Sequence, residues 1–186
     1  MTTTPRSRGL LQKLRDFRRG ERGMAAVEFA CVLPFMLVAY LGSWEVGDGV
    51  AIDRKVAITT RSVADLASRF TNINNAAMSD ILNGSASVIA PYSGGNLVVT
   101  VSQVSIDAQG NATIAWSDSL NGSPHAVGQA ITLPGTLNTP STSLIWGEVS
   151  YAYTPTLGYV LTGTWTMHNQ IFMAPRDSTT VIRTNS

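Results

Sequence analysis

Two histidines, one cysteine and twelve carboxylates are the usual metal-ligating side chains that this chain of 186 residues offers. His125 and His168 stand far apart, on segments of different character. A lone histidine in a strand is ordinarily a surface or hydrogen-bonded core residue, not a ligand. Asp and Glu are scattered singly, and no Gly-rich phosphate loop, paired-cysteine site or G-x-S-x-G turn occurs. Cys31, the only cysteine, excludes an intrachain disulfide and a cysteine metal cluster. It lies in an apolar run, where it serves as a small apolar side chain. No catalytic residue, metal ligand or cofactor is therefore expected.

One carboxylate stands apart. Glu28 is the only charge in Met24–Trp44, MAAVEFACVLPFMLVAYLGSW, a stretch of 21 residues. At ~1.5 Å per residue this stretch crosses ~30 Å of hydrocarbon. A carboxylate deep in such a segment costs ~2.5–3.5 kcal/mol on insertion scales, so it calls for a partner. At the headgroup boundary it would simply be solvated, and the residue alone leaves both open.

Charge placement gives the segment an orientation. Before Gly23 there are seven basic residues (Arg6, Arg8, Lys13, Arg15, Arg18, Arg19, Arg22) against Asp16 and Glu21, a net of +5. From Met24 onward six Lys/Arg face ten Asp/Glu, a net of −4. Basic residues running directly into an apolar helix fix topology and do not point to nucleic acid, so residues 1–23 are expected in the cytoplasm and the C-terminus outside. A cleaved secretory signal fits less well. Small residues are not found at both −3 and −1 near the end of the run, and a carboxylate sits inside it.

Beyond the span, residues 45–70 are amphipathic. Ile52, Val56, Val63, Leu66, Ala67 and Phe70 recur at helical spacing, while Asp53, Arg54, Arg61, Asp65 and Arg69 take the other sides. A long helix is expected to run to about Phe70, kinked at Pro34. Gly42, Gly47 and Gly49 leave open whether it is one helix with a loose joint or two meeting at an elbow.

Residues 71–186 form the outer domain. Ala76–Ile89 carries a weaker helical pattern through Met78, Ile81 and Leu82. Leu97–Ile106 and Asn111–Trp116 flank the turn Asp107-Ala108-Gln109-Gly110 as a hairpin. The apolar phase slips near Ser102-Gln103, which calls for a bulge or a strand buried on both faces. Leu144–Thr154 places Ile145, Val149, Tyr151 and Tyr153 on one face. Thr164–Met173 does the same with Trp165, Met167, Ile171 and Met173. Residues 121–143 have no period and read as a functional or mobile loop. The expected class is α+β: a long N-terminal helix, half membrane-spanning and half amphipathic, packed on a small antiparallel sheet of four strands.

The junction of leader and helix resembles a known family. Arg22-Gly23-Met24-Ala25-Ala26-Val27-Glu28-Phe29 is similar to the processing motif of type IV prepilins, a basic leader ending in Gly before an apolar helix with an early Glu. With Ala30, Leu33-Pro34 and Trp44-Glu45-Val46-Gly47, the chain resembles the TadE/TadG-like proteins of the Flp (Tad) pilus. The similarity is specific across about Arg19–Phe70. It is looser in Val149-Ser150-Tyr151-Ala152-Tyr153-Thr154-Pro155 and Met173-Ala174-Pro175-Arg176. Phe29 stands where major pilins of that system commonly carry Tyr.

The resemblance implies a type IV pilin-like fold and a minor pilin or pseudopilin of an adhesive pilus. It implies anchoring in the inner membrane and cleavage between Gly23 and Met24 by a prepilin peptidase. The implied partners are other pilin subunits and the assembly machinery. Cleavage would leave an α-amino group at Met24, largely charged at neutral pH. Glu28 could pair with that amine on a neighbouring subunit and set axial register, with Phe29 beside it, or with the amine of its own chain four residues back. The alternative is an uncleaved single-pass anchor whose outer domain binds an envelope partner.

Overall fold

The computed structural model describes residues 21–155, 158 and 162–184. The basic leader up to residue 20 and parts of the segment 155–163 lie outside these residues.

Helix α1 runs from Glu21 to Ser68, 48 residues without a break. It passes through Pro34 and through Gly42, Gly47 and Gly49, so of the two arrangements open at the glycines the single helix is the one formed. The last turn tightens, with the N–H groups of Arg69 and Phe70 bonding the carbonyls of Leu66 and Ala67 three residues back. The helix thus ends two residues before Phe70. The next residues are not a plain polar linker: Asn72–Ile73 form strand β1, and Ile73 is fully buried.

Helix α2, Asn75–Val88, begins at Asn74, whose side chain accepts the Ala77 N–H at 2.9 Å. It buries Met78, Ile81, Leu82 and Ser85, one face at helical spacing. The strands follow as β2 (Leu97–Ile106), β3 (Ala112–Leu120), β4 (Ala130–Ile131), β5 (Thr142–Tyr153), β6 (Trp165–Met173) and β7 (Ile182–Arg183). Five of them make one antiparallel sheet in the order β4-β3-β2-β5-β6. The two expected hairpin-like pairs are therefore joined through β2 and β5, and β4 adds a fifth strand at one edge. A separate two-stranded ladder, β1 with β7, is parallel and returns the C-terminal tail to the end of α1.

The main core lies between the outer half of α1 and one sheet face. Ile52, Val56, Val63, Ala64 and Ala67 meet Val99, Val101, Ile145, Val149, Tyr151 and Tyr153, while α2 closes the end. Gly147 marks the closest approach of helix and sheet. A Cβ there would stand 3.0 Å from the Ala64 Cβ and 3.3 Å from the Thr60 carbonyl oxygen. Of the two readings of the apolar slip near Ser102-Gln103, β2 takes the second: it is buried on both faces with unbroken register to β5, and the bulge beside Gln103 has its extra residue, Ala115, on β3. The bulge switches which residues of β3 face which layer: Trp116 lies in the main core, whereas Ile114 joins Val104, Ile106, Leu133 and Leu144 in a second cluster. Leu144 and Trp146 alternate with Ile145 along β5, so this cluster lies on the face turned away from α1. Part of the segment 121–143 covers it through Leu133, with Ile131 and Leu137 half-buried beside it.

Candidate functional site

Among the described residues, none packs over the most apolar stretch of α1. Met24, Val27, Phe29, Val32, Phe35, Met36, Val38 and Tyr40 are all exposed, and none of its most apolar stretch is buried within the protein. Among the described residues this is the one helix long and apolar enough to cross a membrane. Gly23 and Met24 lie inside its first turns, Glu28 is exposed among apolar neighbours, and Pro34 sits at mid-span. Met24 and Glu28 are four residues apart and share a helix face.

Where α1 leaves the apolar stretch, its polar residues turn inward. Glu45 is only 1% exposed. One turn on, the Asp48 carboxylate accepts hydrogen bonds from two tyrosines: Tyr92 Oη at 2.5 Å and Tyr153 Oη at 3.0 Å. Tyr92 follows a cis Ala90–Pro91 bond, and Tyr153 ends β5. For Tyr92 the bond to Asp48, then burial, pushes the phenol up to about 12. For Tyr153 burial comes first and the Asp48 bond second, again to about 12. Lys55 adds a third tie, its Nζ donating to the carbonyl oxygens of Val88 and Ala90. The exit of the helix is therefore clasped to the loop after α2 and to the end of β5.

The far end is fixed by the C-terminal tail. The Arg176 backbone N–H donates to the Ser68 carbonyl at 2.8 Å, satisfying one of the free carbonyls at the helix end. Its guanidinium pairs with Asp65, which also holds Arg69 in the i,i+4 pair. Deeper in, the buried Gln103 carboxamide gathers the tail. Its Oε1 accepts from Trp116 Nε1 at 3.2 Å and from the Val181 N–H at 2.8 Å, while its Nε2 donates to Thr180 Oγ1 at 2.5 Å. Arg183 then makes a two-pronged pair with Asp118, at 2.9 and 3.1 Å.

The two histidines expected to be unrelated share one small pocket on the outer sheet face. It holds about 150 Å³ and is lined by His125, Glu148 and His168 with Ser123 and Ser150. His125 Nε2 meets Glu148 Oε2 at 2.5 Å, and its ring stacks on Trp146 at 4.7 Å, which in turn stacks on Phe172. The antiparallel register places Ser150 opposite His168 and Glu148 two residues along, a proximity that sequence spacing did not reveal. No group of three or more metal-ligating side chains with suitable geometry occurs among the described residues. The pocket reads as the fastening of the loop at His125 onto the sheet.

The architecture is thus one apolar anchor-length helix rigidly continuous with an α+β domain. No family model, curated protein or solved structure matches the chain.

Proposed function

We propose that this protein is a minor pilin or pseudopilin of a Flp/Tad-type pilus, held in the inner membrane by α1 with its domain outside. The observation that carries this is the unbroken 48-residue helix. Its first half offers an apolar surface for lateral packing, interrupted by Glu28, and its second half is locked into the domain at both ends. A subunit built this way transmits the position of its transmembrane half to its domain without slack. A protein tethered only for retention needs no such rigid joint. The chemistry available at the start of α1 is that of register: after cleavage at Gly23, the Met24 amine and the Glu28 carboxylate would each be costly alone in an apolar bundle. Pairing across subunits relieves that cost. The net gain over an apolar replacement is small, so the pair acts through specificity of alignment.

The test is Glu28→Ala in cells carrying the pilus system. Membrane insertion and thermal stability of the domain should be unchanged, while pilus output and co-purification of partner subunits fall. Normal piliation with Glu28→Ala would remove the register role and leave Glu28 as a solvated boundary residue.

A further inference from the structure

We infer that the membrane-facing end of the domain, built from Trp165, Val46 and Val50, is seated in the interfacial layer of the bilayer, just beyond the depth of Trp44. This rests on residues 24–44 spanning the membrane.

Strands β5 and β6 run along α1 with a defined polarity. Gly147 lies against Thr60 and Ala64, far up the helix, whereas Tyr153 is bonded to Asp48 near its exit. Tyr153 pairs with Trp165, so the first residue of β6 is at the membrane end of the sheet. There, Trp165 and Met167 form with Val46, Val50 and Tyr153 an apolar notch of about 340 Å³ that opens to the outside. Trp165 is 54% exposed, Val46 52% and Val50 49%.

Height along the helix identifies what covers these side chains. If the hydrocarbon ends near Trp44, Val46 and Val50 stand ~3 and ~9 Å beyond it. The headgroup layer on each side is roughly 5–8 Å deep. The notch therefore begins inside that layer and reaches its outer limit. Asp53, the charged residue on the notch wall, stands ~13 Å beyond Trp44 and so lies in water. Val32, Phe35, Ala39, Ser43, Val46 and Val50 are all exposed and recur at three- and four-residue spacing on one side of α1, so the notch prolongs its lipid-facing surface. Tryptophan and tyrosine concentrate at this depth because their rings are apolar with one polar edge. Among the described residues that line the notch there is no lysine or arginine, so the contact is expected to form on zwitterionic lipid.

The test uses the full chain in nanodiscs of zwitterionic lipid with one copy per disc. In a Cys31→Ser background, single nitroxides are placed by Val38→Cys, Val50→Cys, Trp165→Cys and Gln170→Cys. Collision with oxygen is then compared with collision with a water-soluble nickel chelate. The labels at 38, 50 and 165 should favour oxygen. The label at 170, about 17 Å further along β6, should favour the chelate. Val50→Cys keeps Trp165 in place, so the result stands even if replacing the indole perturbs the fold. A label at 38 open to the chelate would defeat the spanning segment and this inference with it. A label at 38 in lipid, with 50 and 165 behaving like 170, would overturn the inference alone. Shielding of 50 and 165 from both reagents, appearing only in discs with two copies, would overturn it too, by making a second copy the occupant.

Discussion

Asp48→Ala probes the joint on which rigid coupling of anchor and domain depends. The substitution removes both tyrosine bonds at once. Hydrogen bonds to a charged group contribute about 1.5–3 kcal/mol each. The Tyr92 hydroxyl is only half-buried, so water replaces part of its bond, and alanine returns a few tenths through helix propensity. The expected net loss is about 2–3 kcal/mol, a fall in Tm of about 5–10 °C for a protein of this size. Thermal unfolding in nanodiscs, followed by near-ultraviolet circular dichroism, measures it. In a Tyr92→Phe/Tyr153→Phe background the same substitution should cost little, since the bonds are already gone. An unchanged Tm for Asp48→Ala, or an equal loss in the double-Phe background, would refute the clasp.

Alkali should weaken the same joint. Both phenols are held up at about 12 in the folded protein against an ordinary 10. The folded state binds these protons more tightly, so the stabilisation is complete below pH 10 and is lost as pH rises to about 12. Unfolding midpoints measured across that window should fall in the wild type and stay flatter in Tyr92→Phe/Tyr153→Phe. Gln103→Leu, of similar volume, should cost about 2–4 kcal/mol because it strips the Val181 N–H and weakens the hold on Trp116 in a buried site. Denaturant unfolding reads the loss, and limited proteolysis should release the tail beyond Thr180 before the rest of the domain is cut.

Most elements were legible because their signals are local. Met24–Trp44 announces itself by length and hydropathy, β2 by its β-branched run, and the burial of β2 on both faces by the slip in apolar phase. What stayed hidden depends on contacts distant in sequence. The parallel pairing of β1 with β7 rests on two residues from each end of the domain, too short for any period. The convergence of His125, Glu148 and His168 follows from strand register and from a loop folding back, neither of which spacing encodes. The Asp48 clasp had a partial signal: Trp44-Glu45-Val46-Gly47-Asp48 places two acidic residues just past the span, where solvation alone would account for them. Only the arrival of Tyr92 and Tyr153 turns Asp48 inward.

The central proposal, a processed pilus subunit, is tested most directly by intact-mass analysis of the chain recovered from sheared pili and from membranes of the same cells. The expected result is a chain beginning at Met24, present in the pilus or its basal assembly. A chain retaining Arg22 and Gly23, confined to the membrane fraction of cells that make pili, would contradict it and leave an uncleaved anchor protein.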